Sequence, residues 1–179
     1  YFVQPMHNCC LVNIGEMLDN GTVMNGKMIE TPKSFQVACT VMTQIIAAVA
    51  SSQYGGQSVD IRHLGKYLRK TYDKVYKKRF LGYVEKGYSK EEADQRAKED
   101  AIERRAEDLS SGVQTIQYQI NTLMTTNGQS PFVTIFMYLD KDDEYIEENA
   151  LIIEEILKQR LQGIKNEKVN CIDFKHGYG

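Results

Sequence analysis

Phe132-Val133-Thr134-Ile135-Phe136-Met137-Tyr138-Leu139 is the run that decides the fold. β-branched and aromatic residues follow one another without a charge, so it reads as a parallel-type strand buried on both faces. A polar loop, Thr125 to Pro131, leads into it. Beyond it, the acidic stretch Asp140 to Glu148 favours a helix N-terminus through the macrodipole, with Ile146, Ala150, Ile153, Leu157 and Leu161 as an apolar face ending near Gly163. A second apolar run, residues 8–14, reads as another strand. Side chains alternate across a strand, so Cys9, Leu11 and Asn13 point one way and Cys10, Val12 and Ile14 the other. The two adjacent thiols cannot face one site.

Between the two strands the pattern is mostly helical. Gly15 and a loop with Asn20, Gly21, Asn25 and Gly26 close a small hairpin or turn. From residue 33 to 53, Ala38, Val41, Met42, Ile45 and Val49 recur at helical spacing, and Phe35, Val37, Ile46 and Ala50 widen the face, which indicates a helix buried on most sides. Tyr54-Gly55-Gly56-Gln57-Ser58 ends it. A helix over residues 60–79 carries Ile61, Leu64, Leu68, Tyr72 and Val75 on one side and a crowd of Lys and Arg on the rest. Ser89 and Glu92 form the reciprocal cap of a further helix. That helix is mixed in charge to Asp108 and apolar at Ile116, Ile120 and Leu123, with a kink expected at Ser110-Ser111-Gly112. Strand, long helical excursion, strand, helix makes an α/β fold. Residues 166–179 form an unpatterned tail.

Composition narrows the classes. At 179 residues, 42% hydrophobic and 26% charged, the chain suits one ordinary soluble domain. A net charge of -2 gives no general pull toward nucleic acid or anionic membrane. No apolar run approaches the roughly 20 residues of a membrane helix. The chain starts at Tyr1 rather than Met, so it reads as an internal piece of something longer. Cys9, Cys10, Cys39 and Cys171 fit no zinc spacing, and a vicinal pair makes a strained disulfide, which favours a reduced, intracellular protein. Cys39 reads as a small buried hydrophobe.

The chemical candidates each have a plainer rival. His7 and Cys9 share a strand face, but no third group orients them, so a cysteine hydrolase is weakly supported. Tyr54 to Ser58 resembles a phosphate-cradling glycine loop without the Walker lysine or the three-glycine spacing, and a helix C-cap explains it as simply. The basic helix suits phosphates or a solvated face, with the acidic segment beyond residue 140 able to neutralise it internally. Asn127-Gly128-Gln129-Ser130 is either an ordinary turn or a set of amides that reads a base or sugar.

Four motifs in order carry more. Pro5-Met6-His7-Asn8-Cys9, Met28-Ile29-Glu30-Thr31-Pro32-Lys33-Ser34, Gln44-Ile45-Ile46-Ala47 leading to Tyr54-Gly55-Gly56, and Asn121-Thr122-Leu123 with Asn127 to Thr134 closely resemble the catalytic subunit of anaerobic (class III) ribonucleoside-triphosphate reductases. The resemblance spans about residues 1–165 and does not include the tail or Cys171. It implies a cytoplasmic glycyl-radical enzyme that reduces ribonucleoside triphosphates in an α/β barrel, of which residues 1–165 would be the first part, including the effector-binding helices. Cys9 falls where the family holds a thiol beside the substrate ribose. His7 and Asn8 flank it as substrate contacts, and Asn127, Gly128, Gln129 and Ser130 match a segment near the substrate base. Glu30, Lys33 and Gln44 match positions near a deoxynucleotide effector bound between the subunits of a homodimer. The resemblance further implies ATP or deoxynucleotide effectors, a structural zinc and a radical-SAM activating enzyme. It implies no nucleic-acid or membrane partner.

A second catalytic cysteine, a radical glycine loop, a four-cysteine zinc site and an ATP cone are not found in these residues, so the 179 residues alone are expected to bind no such cofactor and to be inactive. Two rivals stand beside this reading. One is a nucleotide-binding or dimerisation module without chemistry. The other is a formate-lyase-type glycyl-radical enzyme, whose paired catalytic cysteines Cys9-Cys10 superficially supply.

Overall fold

A computed structural model describes residues 9–24, 26–52, 55–122 and 132–162 of the chain. His7, Asn8, Asn127, Gly128, Gln129, Ser130 and the tail from residue 166 lie outside the described residues. The elements run β1 (Cys9–Val12), α1 (Ile14–Asp19), β2 (Thr22–Met24), β3 (Lys27–Ile29), α2 (Phe35–Ser52) and β4 (Gly56–Asp60). A 3-10 turn (Ile61–Leu64) follows, then α3 (Gly65–Glu85), α4 (Lys90–Thr122), β5 (Phe132–Phe136) and α5 (Ile146–Gln162).

Mixed helix and sheet was expected, but the sheet holds an unexpected strand. Its order is β1-β4-β5, with both pairings parallel. β4 is the centre, in a stretch read from sequence as a helix end followed directly by the next helix. Gly56-Gln57-Ser58-Val59-Asp60 carries one apolar side chain and no long alternation, so only its two neighbours make it a strand. It is anchored from below, where Gln57 Nε2 donates to the Ile46 carbonyl of α2 at 2.9 Å. Gly55, at φ 111°, makes the sharp entry that a side chain would resist.

β1 alternates as the sequence implied. Cys9 and Leu11 are exposed, while Val12 is buried and Cys10 packs against the core. The strand ends earlier than expected, because Asn13 caps α1, its Oδ1 accepting from the Glu16 amide. The expected hairpin follows as β2 and β3. β5 is parallel, as expected, yet it is buried on neither face throughout. Phe132, Thr134 and Phe136 are exposed, and Val133 and Ile135 lean on the core. Like the rest of the sheet, it packs against the core through one face only.

The helices supply most of the core against which the inward residues of this sheet pack. α2 contributes Phe35, Ala38, Cys39, Met42, Ile45 and Ile46, each fully buried. It is long and apolar enough to cross a membrane by composition, contrary to the first impression, but half of it is buried within the protein, as a core helix requires. α3 and α4 form a long antiparallel arm. Along its outer half α4 buries only Ala93, Ala97 and Ala101, spaced one turn apart, and small side chains allow close helix approach. α3 answers with aromatic residues: Tyr76 Oη donates to Asp94 at 2.6 Å and Tyr83 Oη to Asp100 at 2.9 Å. Ser89 caps α4, its Oγ accepting from the Glu92 amide at 3.2 Å.

Two further expectations need correcting. α4 does not break at Gly112. A Cβ there would lie 2.6 Å from Phe35 Cε1, so this glycine makes room for a ring of α2 rather than a kink. The face of α5 is rotated from the one read in sequence. Ile152 and Ile156 are buried with Glu148 and Asn149, whereas Leu157 and Leu161 are exposed. Ile152 and Ile156 supply the apolar contact, and Glu148 can join their face because a cation meets it there. Arg69 of α3 makes a two-pronged pair with Glu148, Nε to Oε1 at 2.6 Å and the terminal nitrogen to Oε2 at 2.8 Å, drawing that carboxylate inward. That pair is the internal neutralisation anticipated from the segment beyond residue 140, whereas Lys66 pairs with Asp19 and Arg79 with Asp100, partners the sequence did not suggest.

Candidate active-site face and effector helix

Parallel registry aligns Cys9, Gly56 and Phe132 in one row across the sheet, and Leu11, Ser58 and Thr134 in the next but one. Both rows belong to the face turned away from the helices. Cys9 is exposed on it, with Leu11 and Phe132 each 71% exposed. A Cβ added to Gly56 would lie 3.8 Å from Cys9 Sγ, so the missing side chain leaves a notch beside the thiol, floored by backbone. The described residues alone do not close a water-excluding pocket around Cys9. At the far end of β4, Asp60 grips Arg62 through both carboxylate oxygens, and the Arg62 guanidinium lies 5.0 Å from the Tyr138 ring centre. Burial is the largest single influence on the Asp60 carboxyl and pushes it up, but the hydrogen bonds and charge of Arg62 together hold it below the usual range.

The other candidates sit elsewhere. Glu30 follows β3, Lys33 precedes α2 and Gln44 lies on its outer surface, all three exposed. Lys33 lies two residues before α2 and Gln44 in its third turn, so the helix period does not by itself relate them. The start of α2 is well fixed. The Ser34 hydroxyl accepts from the Val37 amide at 3.4 Å, and the Phe35 amide donates to Thr71 Oγ1 of α3 at 3.1 Å. Thus the thiol and the α2 candidates occupy different places, one on the sheet's open face and the other on the helical layer.

Sequence reading missed Gly56 as a neighbour of Cys9, along with Phe132, Ser58 and Thr134. The alternation of β5 contained part of that signal, but the partner strand β4 did not declare itself.

A model of the anaerobic ribonucleoside-triphosphate reductase family matches residues 1–174. The chain belongs to the anaerobic ribonucleoside-triphosphate reductase family. The match extends past residue 165, where the motifs read from sequence stop. Among relatives bearing that name, the protein of Enterobacteria phage T4 is 37% identical over 171 residues, covering 94% of this chain. The Haemophilus influenzae protein is 37% identical and the Escherichia coli protein 35% identical, each over 169 residues and 92% of this chain. The chain spans only 26% of the phage reductase and 22% of each bacterial reductase.

Proposed function

We propose that this chain is the part of an anaerobic ribonucleoside-triphosphate reductase that carries one substrate-side thiol and the deoxynucleotide effector helix. Family membership supports the reaction class, and the position of Cys9 on the open sheet face beside Gly56 is the observation that carries the site. In this reading β1, β4 and β5 are the first strands of a barrel whose interior receives Leu11, Phe132 and Phe136, apolar side chains otherwise left in water.

The net reaction replaces the ribose 2'-hydroxyl by hydrogen, the oxygen leaving as water at the expense of an external two-electron reductant. Cys9 supplies a hydrogen to the ribose. An S–H bond is suited to this when held against the sugar with water excluded, and Gly56 leaves the space for close approach. A glycyl radical in the longer protein would supply the radical chemistry when present. His7, Asn8 and the Asn127 to Ser130 segment are proposed to hold the nucleotide, and Glu30, Lys33 and Gln44 the effector at a homodimer contact, Lys33 as a cation for its phosphates. A radical-SAM activating enzyme and a structural zinc belong to the same proposal, outside the described residues.

The test is Cys9→Ser in the full-length reductase that contains this segment. Deoxynucleotide formation is expected to vanish while effector binding persists, and Cys10→Ser is expected to retain turnover. Turnover by the Cys9→Ser protein would end the catalytic reading. Effector binding that is lost on Lys33→Ala but indifferent to Cys9→Ser would fit the purely nucleotide-binding rival only if the wild-type protein also failed to reduce nucleotides.

A further inference from the structure

The first turn of α2 is held twice, through its backbone by α3 with α4 behind it and through a side chain by α4 directly. The Phe35 amide, the first of the helix, donates to Thr71 Oγ1 of α3, and of the two acceptors within reach of that hydroxyl, the Tyr67 carbonyl at 3.2 Å and Asp108 Oδ2 of α4 at 2.8 Å, the nearer and charged carboxylate takes its proton. Thr71 and Asp108 are 5% and 6% exposed, so both bonds are shielded from water. One turn further along α4, Gly112 provides the space that the Phe35 ring fills. Asp108 and Gly112 thus lie on the same stripe of α4. Between them they fix the main chain and the ring of the residue that follows Lys33-Ser34.

We propose that Thr71 and Asp108 are positioning residues for the nucleotide effector, setting the α2 start from which Lys33 and Gln44 are presented. The inference rests on the effector reading above and adds two buried residues that never touch the nucleotide. Its physical basis is direct. A helix N-terminus has free amides, and tying the innermost one to a buried hydroxyl and carboxylate removes the freedom of that turn to rotate or slide. Thr71 has one proton to give and a lone pair for the Phe35 amide, so it is the link without which Asp108 cannot reach the helix. Removing the hydroxyl leaves a buried amide unpaired, which the first turn can relieve only by moving.

The experiment uses the full-length protein and titrates it with dATP, dGTP, dTTP and dCTP in turn, alongside amide hydrogen exchange at the start of α2. Thr71→Val is expected to weaken the tightest-binding nucleotide about tenfold and to speed exchange at Phe35 to Ala38. Asp108→Ala should shift both in the same direction, and Thr71→Ser, which keeps the hydroxyl, should restore both. Ile156→Ala, a core residue of α5 outside the relay, serves as the control: it should lower the melting temperature while leaving affinity and local exchange unchanged. Wild-type affinity in Thr71→Val, or an equal loss in Ile156→Ala, overturns the inference while leaving the effector site standing. Absence of nucleotide binding by the wild-type protein, or indifference to Lys33→Ala, removes the effector reading and this inference with it.

Discussion

Cys9, Cys10 and Cys39 are chemically the same residue in three settings, and their reactivities should separate accordingly. Cys9 is exposed beside Gly56, Cys10 leans on the core and Cys39 is fully buried. Burial pushes the Cys39 thiol well above its ordinary range, and the nearby Asp108 adds to the effect, so its thiolate is scarce at neutral pH. Peptide-resolved alkylation of the native chain with iodoacetamide should therefore modify Cys9 first and Cys39 last. Fast labelling of Cys39 would contradict its place in the core. Gly112 offers a second residue-scale check. Adding one methyl there drives a Cβ into the Phe35 ring, so Gly112→Ala should cost about 1–3 kcal/mol of stability, although alanine is the better helix former. A urea denaturation midpoint that rises instead would show that the ring can yield. The sequence separated Cys9 from Cys10 because alternation is local. It misassigned Gly112 because a glycine needed for space and one needed for bending look alike until the opposing residue is known.

At the scale of elements, α3 and α4 depend on a narrow interface. Ala93, Ala97 and Ala101 are wholly buried, yet their stretch of sequence is dominated by charge and gives a weak apolar signal. Ala97→Leu should therefore overpack the arm, with a loss of about 1–3 kcal/mol. The expected signature is faster amide exchange confined to the outer arm, because the inner half is independently held by Leu109, Val113 and Ile116. Uniform acceleration throughout the chain would instead make the arm part of one cooperative core. α5 gives a comparable case. Its buried face includes Glu148, paired with Arg69, and periodicity of apolar residues alone does not register such a partner. Arg69→Ala leaves Glu148, whose side chain is 4% exposed, without its ion-pair partner and should cost about 3 kcal/mol by denaturant titration.

Across the whole molecule, paired carboxylates set the direction of the acid response, Asp19 joining α1 to α3 and Asp60 fixing the turn after β4. Burial raises the Asp19 carboxyl, but hydrogen bonds from Lys66 and Tyr67 with the charges of Lys66 and Lys70 outweigh it and hold Asp19 below its ordinary range. Asp60 is depressed in the same sense by Arg62. A carboxylate with a lowered folded pKa contributes stability that is present above its unfolded value and lost as pH falls through the folded one. Stability from these two groups should be complete above about pH 4 and decline below it, read from melting temperatures across an acid series. Asp19→Asn should flatten that decline, and an unchanged slope would remove Asp19 from the account.

What the sequence determined by itself is whatever short-range pattern encodes: the α/β class, the boundaries of α2, the cap at Ser89, the side of β1 that bears Cys9, and the motifs that resemble the reductase family. Tertiary structure decided what no local pattern holds. β4 is a strand because β1 and β5 satisfy its backbone on both sides, and Gly56 becomes part of the thiol's surroundings only through that pairing. The Phe35, Thr71 and Asp108 relay likewise joins residues 36 and 37 positions apart. Backbone hydrogen bonding between strands and buried polar contacts between helices are properties of the assembled chain, and they are what place Cys9 on one face and α2 on another.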